Sequence, residues 1–413
     1  MAAAEPRAWR LIALAALVAL AVRLLFGLTY WVGKPLTHDE REYLALAASL
    51  ADGRGFTYPP DHDSGTAQQF GRAPTYPLFL AAIGATGPAQ TGAPARVKIA
   101  QSIMGAMLVV LIAAIASRAA GMEVAVLAAW VAALYPPLVW FPAYVLSETL
   151  FSLLALAAAL LLQVAVARAA EGRASGTAAR FALLAGALAG AAVLTRPAML
   201  FFLPLAALWL LRINRYVLAI ALVATAVAVI APWTTRNYRV YGRFILVASE
   251  GGVTFWTGNH PLSRGEGDLA ANPELKRAEL EFRRAHPGLS AEELEPLYYR
   301  DALARIASDP LWWLGLLARK AFYTVVPGGP SYALHSARYR IASIASYVFL
   351  MPIALYGLGK LMQVPEPPVA LGLLVCSSLL VCLIFFPQER FRVPIIDPAL
   401  IVAAATGLWR SHP

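Results

Sequence analysis

An all-α protein that crosses a membrane many times is predicted by three observations. Hydrophobic residues make up 59% of the chain and charged residues only 14%, against roughly a quarter charged in an ordinary soluble domain. The mean hydropathy is +0.62. The apolar residues also gather into stretches of about 20, the length a helix needs to cross a hydrocarbon core about 30 Å thick. The formal charge is +10, but the basic residues are scattered between apolar stretches and form no run or stripe, so they orient a chain in a bilayer rather than bind nucleic acid.

About ten spans are expected, at residues 9–32, 96–117, 122–141, 143–167, 178–195, 197–211, 216–233, 342–360, 368–386 and 392–408. Arg7 and Arg10 precede the first stretch as in a signal peptide. No small-residue cleavage site follows and the stretch is long, so an uncleaved anchor is expected. The stretches 178–195 and 197–211 are short and divided by Pro197. Cys376 and Cys382 share one stretch on different sides of a helix, as small core or lipid-facing residues.

Orientation follows from the basic residues of short loops. With a cytoplasmic N-terminus, Arg7, Arg10, Arg118, Arg168, Arg173, Arg180, Arg212, Arg215, Lys360 and Arg410 all fall inside, as the positive-inside rule requires. Both termini are then cytoplasmic, and two long segments lie outside, residues 33–95 and 234–341. The chain reads as an N-terminal membrane module, 1–233, with its first outer loop at 33–95. An extracytoplasmic region, 234–341, and C-terminal membrane helices, 342–413, complete it. Residues 309–325, DPLWWLGLLARKAFYTV, have the aromatic and basic flanks of a helix lying in the interface.

The first outer loop begins with LTHDEREYLALAASL, residues 36–50. Thr37 and Glu40 have the spacing of a capping box, and acids in a first turn suit the helix dipole. Asp39 shares a stripe with Tyr43, Leu46 and Leu50, at the head of the apolar face. A partly desolvated acid there is costly unless it is used. Other polar residues collect on the same side. Ser147 and Glu148 lie near the outer start of the fourth span, where a buried acid costs less than the roughly 2.5 to 3.5 kcal/mol of a helix centre. Arg196, in LTRPAM, and Arg390 and Arg392, in PQERFRVP, occupy short outer turns and oppose the positive-inside rule. A carboxylate with several guanidiniums is what transfer of a group from a phosphate to a hydroxyl requires.

At these residues the chain resembles a family. HDEREYLALA, GRGF and RAPTYPLFL resemble the first outer loop of the bacterial GT-C superfamily of membrane glycosyltransferases. That branch holds protein O-mannosyltransferases, the lipid A aminoarabinose transferase and lipopolysaccharide-core transferases. LSETLF, LTRP, PWTTRNYRVYGRFILVASEGGVTFWTGNHP and RFRVPI continue the resemblance, which is loose over 262–308. It implies a polyprenyl-phosphate sugar as donor and a protein, lipid or glycan hydroxyl as acceptor, at the outer face of a bacterial cytoplasmic membrane. It also implies Asp39 as general base and Glu40 as the second acid that orients it. Arg72 would contact the donor phosphate, with Arg196, Arg390 and Arg392 as further contacts. His38, Tyr43, Glu148 and Asn259 would line the sugar or acceptor pocket. Before Arg72 stands Gly71, where some relatives have an acid.

The chemistry has its own logic. A phosphate leaving group needs positive charge more than a general acid. The attacking hydroxyl needs a base, and an Asp raised from roughly 3.9 towards neutrality in a dry site could serve, although a helix N-terminus and nearby Arg push the other way. One carboxylate and in-line attack predict inversion. No cofactor is required, and a metal is not favoured: His38, Asp39 and Glu40 are adjacent and cannot all face one ion from a regular helix. His62 with Asp61 and Asp63 fits a solvated turn. Other classes that suit the composition are an O-antigen ligase or polymerase, a secondary transporter, and a noncatalytic envelope-assembly protein. The first lacks the first-loop Asp-Glu pair, and the second would show related halves, which are not seen here.

Overall fold

The computed structural model describes residues 4–58, 71–86, 92–171, 175–329 and 335–409. Among them every regular element is a helix. The membrane-type helices are α1 (Ala4–Leu25), α4 (Ala95–Ala120), α5 (Met122–Leu134), α7 (Glu148–Ala170), α8 (Ser175–Val193), α9 (Phe202–Arg212), α10 (Tyr216–Tyr241), α15 (Ala337–Leu361), α16 (Val369–Ile384) and α18 (Ile396–Leu408). Between them lie α2 (His38–Ala51), α3 (Thr75–Ala82), α6 (Pro136–Trp140), α11 (Gly251–Gly258), α12 (Pro273–Arg284), α13 (Ala291–Ser308), α14 (Pro310–Val325) and α17 (Glu389–Arg392). Each expected span coincides with a helix. Six are long and apolar enough to cross a membrane, a seventh arises if α5 and the helical turns after it count as one bent span, and α9, α16 and α18 belong to shorter apolar helical segments. The protein is a multi-pass membrane protein.

The third expected span is broken, with its two halves bent by 63°. The cause is Pro136-Pro137. Tyr135 before them is extended, as a residue preceding proline tends to be, and the missing N–H groups leave the Ala132 and Ala133 carbonyls without helical partners. Arg23, buried within α1, supplies them: its guanidinium donates to Ala132 O at 3.2 Å and to Ala133 O at 3.1 Å. An intramembrane arginine is thus matched to a helix break. Nothing in the local sequence links Arg23 to a break 110 residues further on.

Small residues set the closest helix approaches, as expected where lipid is the alternative solvent. In α8, Gly186 and Gly190 face the Leu222 and Ala226 carbonyls of α10, and a Cβ at either would collide with them. Gly357 of α15 meets Ala403 of α18 in the same way. Helices α11 to α13 build a separate small core from Trp256, Leu275, Leu294, Tyr298 and Ala302. Helix α14 buries Leu316, Lys320 and Thr324 while Leu311, Leu314, Phe322 and Val325 stay exposed, the apolar face expected of a helix lying against lipid.

Candidate active site

The site begins with the start of α2. Thr37 caps the helix, its Oγ1 accepting from the Glu40 N–H, while Glu40 Oε2 accepts from Thr37 N at 2.8 Å. This is the capping box that the sequence indicated. The other Glu40 oxygen accepts from Val145 N at 2.9 Å. Both oxygens of Glu40 are therefore held by main-chain amides, fixing α2 against the segment that leads into α7.

Asp39, one residue earlier, receives two guanidiniums. Arg72 Nη2 donates to Oδ1 at 2.6 Å and Arg390 Nη1 to Oδ2 at 2.5 Å. Arg72 also donates through Nε to Glu42 Oε2 at 2.8 Å and lies 3.4 Å from Glu250 Oε2. Its guanidinium sits over the Tyr43 ring, 5.3 Å from the centroid. Arg390 Nε continues to Glu148 Oε1 at 3.0 Å, and Arg196 Nη1 meets the same oxygen at 2.7 Å. Ser147 closes the network, accepting from Tyr43 OH and from Arg196, both at 3.3 Å. His38 pairs with Glu42 at 3.3 Å. One connected cluster therefore unites Asp39, Arg72, Arg196, Arg390, Glu148, Tyr43 and His38. They come from α2, the turn before α3, the start of α7, the α8–α9 connection and α17.

Local backbone chemistry puts these groups there. Arg196 precedes Pro197 and is extended, with φ −147° and ψ 121°, which ends α8 and turns the side chain onto Glu148. Gly71 lets the Glu250 carboxyl pack beside the Arg72 backbone, because a Cβ at that position would collide with it. Position 71 itself carries no acid, and a carboxylate reaches Arg72 from 178 residues away instead.

The electrostatics correct one expectation. Burial alone would raise the Asp39 pKa, but Arg72 and Arg390 outweigh it and hold the carboxyl well below the usual range. The Asp39 carboxyl is not tuned towards neutrality in this arrangement. Glu42 is likewise held down: burial is opposed by the His38 hydrogen bond and by Arg72. Glu250 differs. Burial, with help from Glu42 and Asp39 and against Arg72, raises it to about 7.

Two predicted site residues lie elsewhere. Arg392 is buried and pairs through Nε with Asp397 at 2.8 Å, over the Tyr347 ring. Tyr135 completes that second cluster by donating to Asp397 at 3.0 Å. Asn259 has its side chain fully engaged. Nδ2 donates to the Phe255 and Ile384 carbonyls, and Oδ1 accepts from Trp313 Nε1 at 3.0 Å and Lys320 Nζ at 2.9 Å. Lys320 also donates to Leu383 O at 3.0 Å, near the end of α16, where helical carbonyls lack partners. Its burial pushes the ammonium down to about 7. Between about pH 7 and about pH 10 the unfolded chain then carries a proton that the folded one lacks, so stability rises with pH. The thermal midpoint of the wild type is expected to climb relative to Lys320→Met from about pH 7 to about pH 9. A constant gap between the two would reject a lysine held neutral.

Glu42 and Glu250 were not assigned from the sequence. Glu42 stands three residues after Asp39, and helical spacing alone could have placed it on the same face. Glu250, in SEGG, carries no local signal. Among the described residues no group of three His, Cys, Asp or Glu side chains could hold a metal ion, and the expected turn at Asp61, His62 and Asp63 lies outside those residues, as do Arg173 and Arg410.

No family model matches the chain, and no curated protein matches it. Solved structures do. The archaeal oligosaccharyltransferase AglB from Archaeoglobus fulgidus, in complex with an inhibitory peptide and a dolichol-phosphate, superposes with a TM-score of 0.61 at 16% identity, over 98% of this chain and 50% of that one. The same enzyme in complex with Zn and sulfate gives 0.55 at 13% identity, over 96% and 48%. ArnT from Cupriavidus metallidurans bound to undecaprenyl phosphate gives 0.44 at 14% identity, over 96% and 77%. The chain spans about half the length of the oligosaccharyltransferase. Over 98% of its length the chain shares the fold of part of the oligosaccharyltransferase, in keeping with the resemblance read from its motifs.

Proposed function

We propose that this protein transfers a glycosyl group from a polyprenyl-phosphate-linked donor to a hydroxyl of a protein, lipid or glycan, at the extracytoplasmic face of a bacterial cytoplasmic membrane. One observation carries the reading: Arg72 and Arg390 converge on the two oxygens of a single carboxylate, Asp39. Two guanidiniums aimed at one small anion are equally matched to a phosphate. The donor phosphate would bind against the same two guanidiniums while Asp39 keeps them together, and Arg196, tied to Arg390 through Glu148, would support the same charge.

Positive charge at the leaving oxygen lowers the barrier to breaking the bond between sugar and phosphate. The acceptor hydroxyl attacks the anomeric carbon from the opposite side and loses its proton to a carboxylate of the cluster, with inversion. A donor carried in the lipid suits a site at the outer ends of membrane helices. The shared fold supports the reading, since the oligosaccharyltransferase structure holds a dolichol-phosphate.

The test is transfer in proteoliposomes from a panel of radiolabelled undecaprenyl-phosphate sugars to peptide, lipid and oligosaccharide acceptors. Turnover of one donor with inverted product is the expected result. Absence of turnover with every donor, from protein shown to be folded, would reject the transferase reading.

A further inference from the structure

Arg390 owes its place to the chain that leads into it. Helix α16 ends at Ile384, and Pro387 follows closely. A proline lacks the N–H that would bond the carbonyl four residues back, here that of Leu383. Lys320 of α14, fully buried, stands in for it. Its Nζ donates to Leu383 O at 3.0 Å and lies 3.4 Å from Ile384 O. Asn259, at the end of α11, donates to Ile384 O at 2.9 Å and accepts from the same Nζ at 2.9 Å. Two side chains from α11 and α14 therefore close the end of α16, as Arg23 closes the broken third span.

Past that end the chain stays tied to its neighbours on both sides. The Phe385 carbonyl lies so close to Gly258 that a Cβ there would collide with it, and Phe386 packs on Gly267 in the same way. Gln388 donates to Asp268 at 2.8 Å. Glu389 accepts from Tyr339 at 2.9 Å and from Ser343, both of α15. Arg390 comes next and bridges Asp39 and Glu148. Charge-assisted hydrogen bonds tolerate only a few tenths of an ångström, so a strap that slips at its root no longer delivers the guanidinium to both acids.

We propose that Lys320 and Asn259 are positioning residues for recognition of the donor phosphate: by fixing the end of α16 they set the place of Arg390. This rests on the transferase reading above, in which Arg72 and Arg390 bind that phosphate. Neither residue belongs to the cluster around Asp39; both act through main-chain carbonyls. Burying a lysine against neutral oxygens costs more than burying a methionine of similar length. What the amine adds is a donor at the helix end from which the arginine departs. The same contacts carry any displacement of α11 or α14 to Arg390.

The experiment is binding of undecaprenyl phosphate, and of undecaprenol as the probe without a phosphate, in proteoliposomes at equal folded amount. The proteins are wild type, Lys320→Met, Asn259→Asp, Arg390→Gln and the double variant Lys320→Met with Arg390→Gln. Lys320→Met is expected to weaken undecaprenyl phosphate about tenfold, part of the loss of a charge-assisted contact, and to leave undecaprenol at wild-type affinity. Asn259→Asp keeps an oxygen towards Lys320 and loses the N–H that holds Ile384 O. It should behave alike, and it carries the test if Lys320→Met does not fold. The double variant should bind no more weakly than Arg390→Gln alone, because the effect passes through a guanidinium already removed. Wild-type affinity for undecaprenyl phosphate in both single variants, equal loss for the two probes, or losses that multiply in the double variant would each overturn the proposal. Wild-type affinity in Arg390→Gln would instead reject the phosphate site of the transferase reading, and this role with it.

Discussion

Asp39→Asn is expected to lower glycosyl transfer by on the order of a hundredfold or more without unfolding the protein. The substitution keeps the shape and removes the charge. Arg72 and Arg390 then lose the anion between them, and two guanidiniums held on one small group repel each other when it becomes neutral. Arg72 retains Glu42 and Arg390 retains Glu148, so each swings towards its remaining partner and the pair no longer presents a common phosphate site. The fold survives because the cap of α2 is made by Thr37 and Glu40, not by Asp39. The measurement is transfer rate at equal folded amount, with the thermal midpoint as control. Wild-type rates in the variant would show that the Asp39 bridge has no part in turnover.

Arg390→Gln and Arg392→Gln, two residues apart in one short helix, are expected to fail in opposite ways. Arg390 bridges Asp39 and Glu148 in the proposed site. Its replacement should weaken binding of undecaprenyl phosphate by on the order of a hundredfold, the scale of a charge-assisted contact of about 3 kcal/mol. Arg392 points into the scaffold, where Asp397 is fully buried beside it. Removing that guanidinium leaves a buried carboxylate uncompensated, which costs about 3 to 5 kcal/mol of stability. The folded fraction of Arg392→Gln should still bind the lipid phosphate with wild-type affinity. Binding measured by fluorescence quenching, together with thermal unfolding, separates the two outcomes. Lost lipid affinity at Arg392, or intact affinity at Arg390, would reverse the assignment.

These paired arginines mark where the sequence stops being informative. Both sit on the same short turn between apolar helices, two residues apart, so topology alone treats them alike. Which one meets Asp39 depends on the rotation of α17 against α2 and α7, elements separated by more than two hundred residues. Arg196 could be placed with Glu148 because each lies at a helix end on the same side. Asn259 could not be placed, since its partners Trp313, Lys320 and the Ile384 carbonyl come from α14 and the end of α16.

What the sequence by itself determined was everything that depends on near neighbours along the chain. Transfer of apolar side chains into lipid is summed over consecutive residues, so the apolar stretches were legible, whereas the third, expected as one span at 122–141, proved to be bent at Pro136-Pro137. The capping box at Thr37 and Glu40, and the place of Asp39 at the head of an apolar stripe, follow from helical periodicity. Only the tertiary structure decided which charges meet. It set Arg72 and Arg390 on Asp39, turned Arg392 towards Asp397, filled two orphaned carbonyls with Arg23, and brought Glu250 to Arg72 beside a glycine. The proton affinity of a carboxyl depends on through-space distance to other charges and on exclusion of water, and neither quantity is written in local sequence. For that reason Asp39, expected to rise towards neutrality in a dry site, is held below the usual carboxylate range by Arg72 and Arg390.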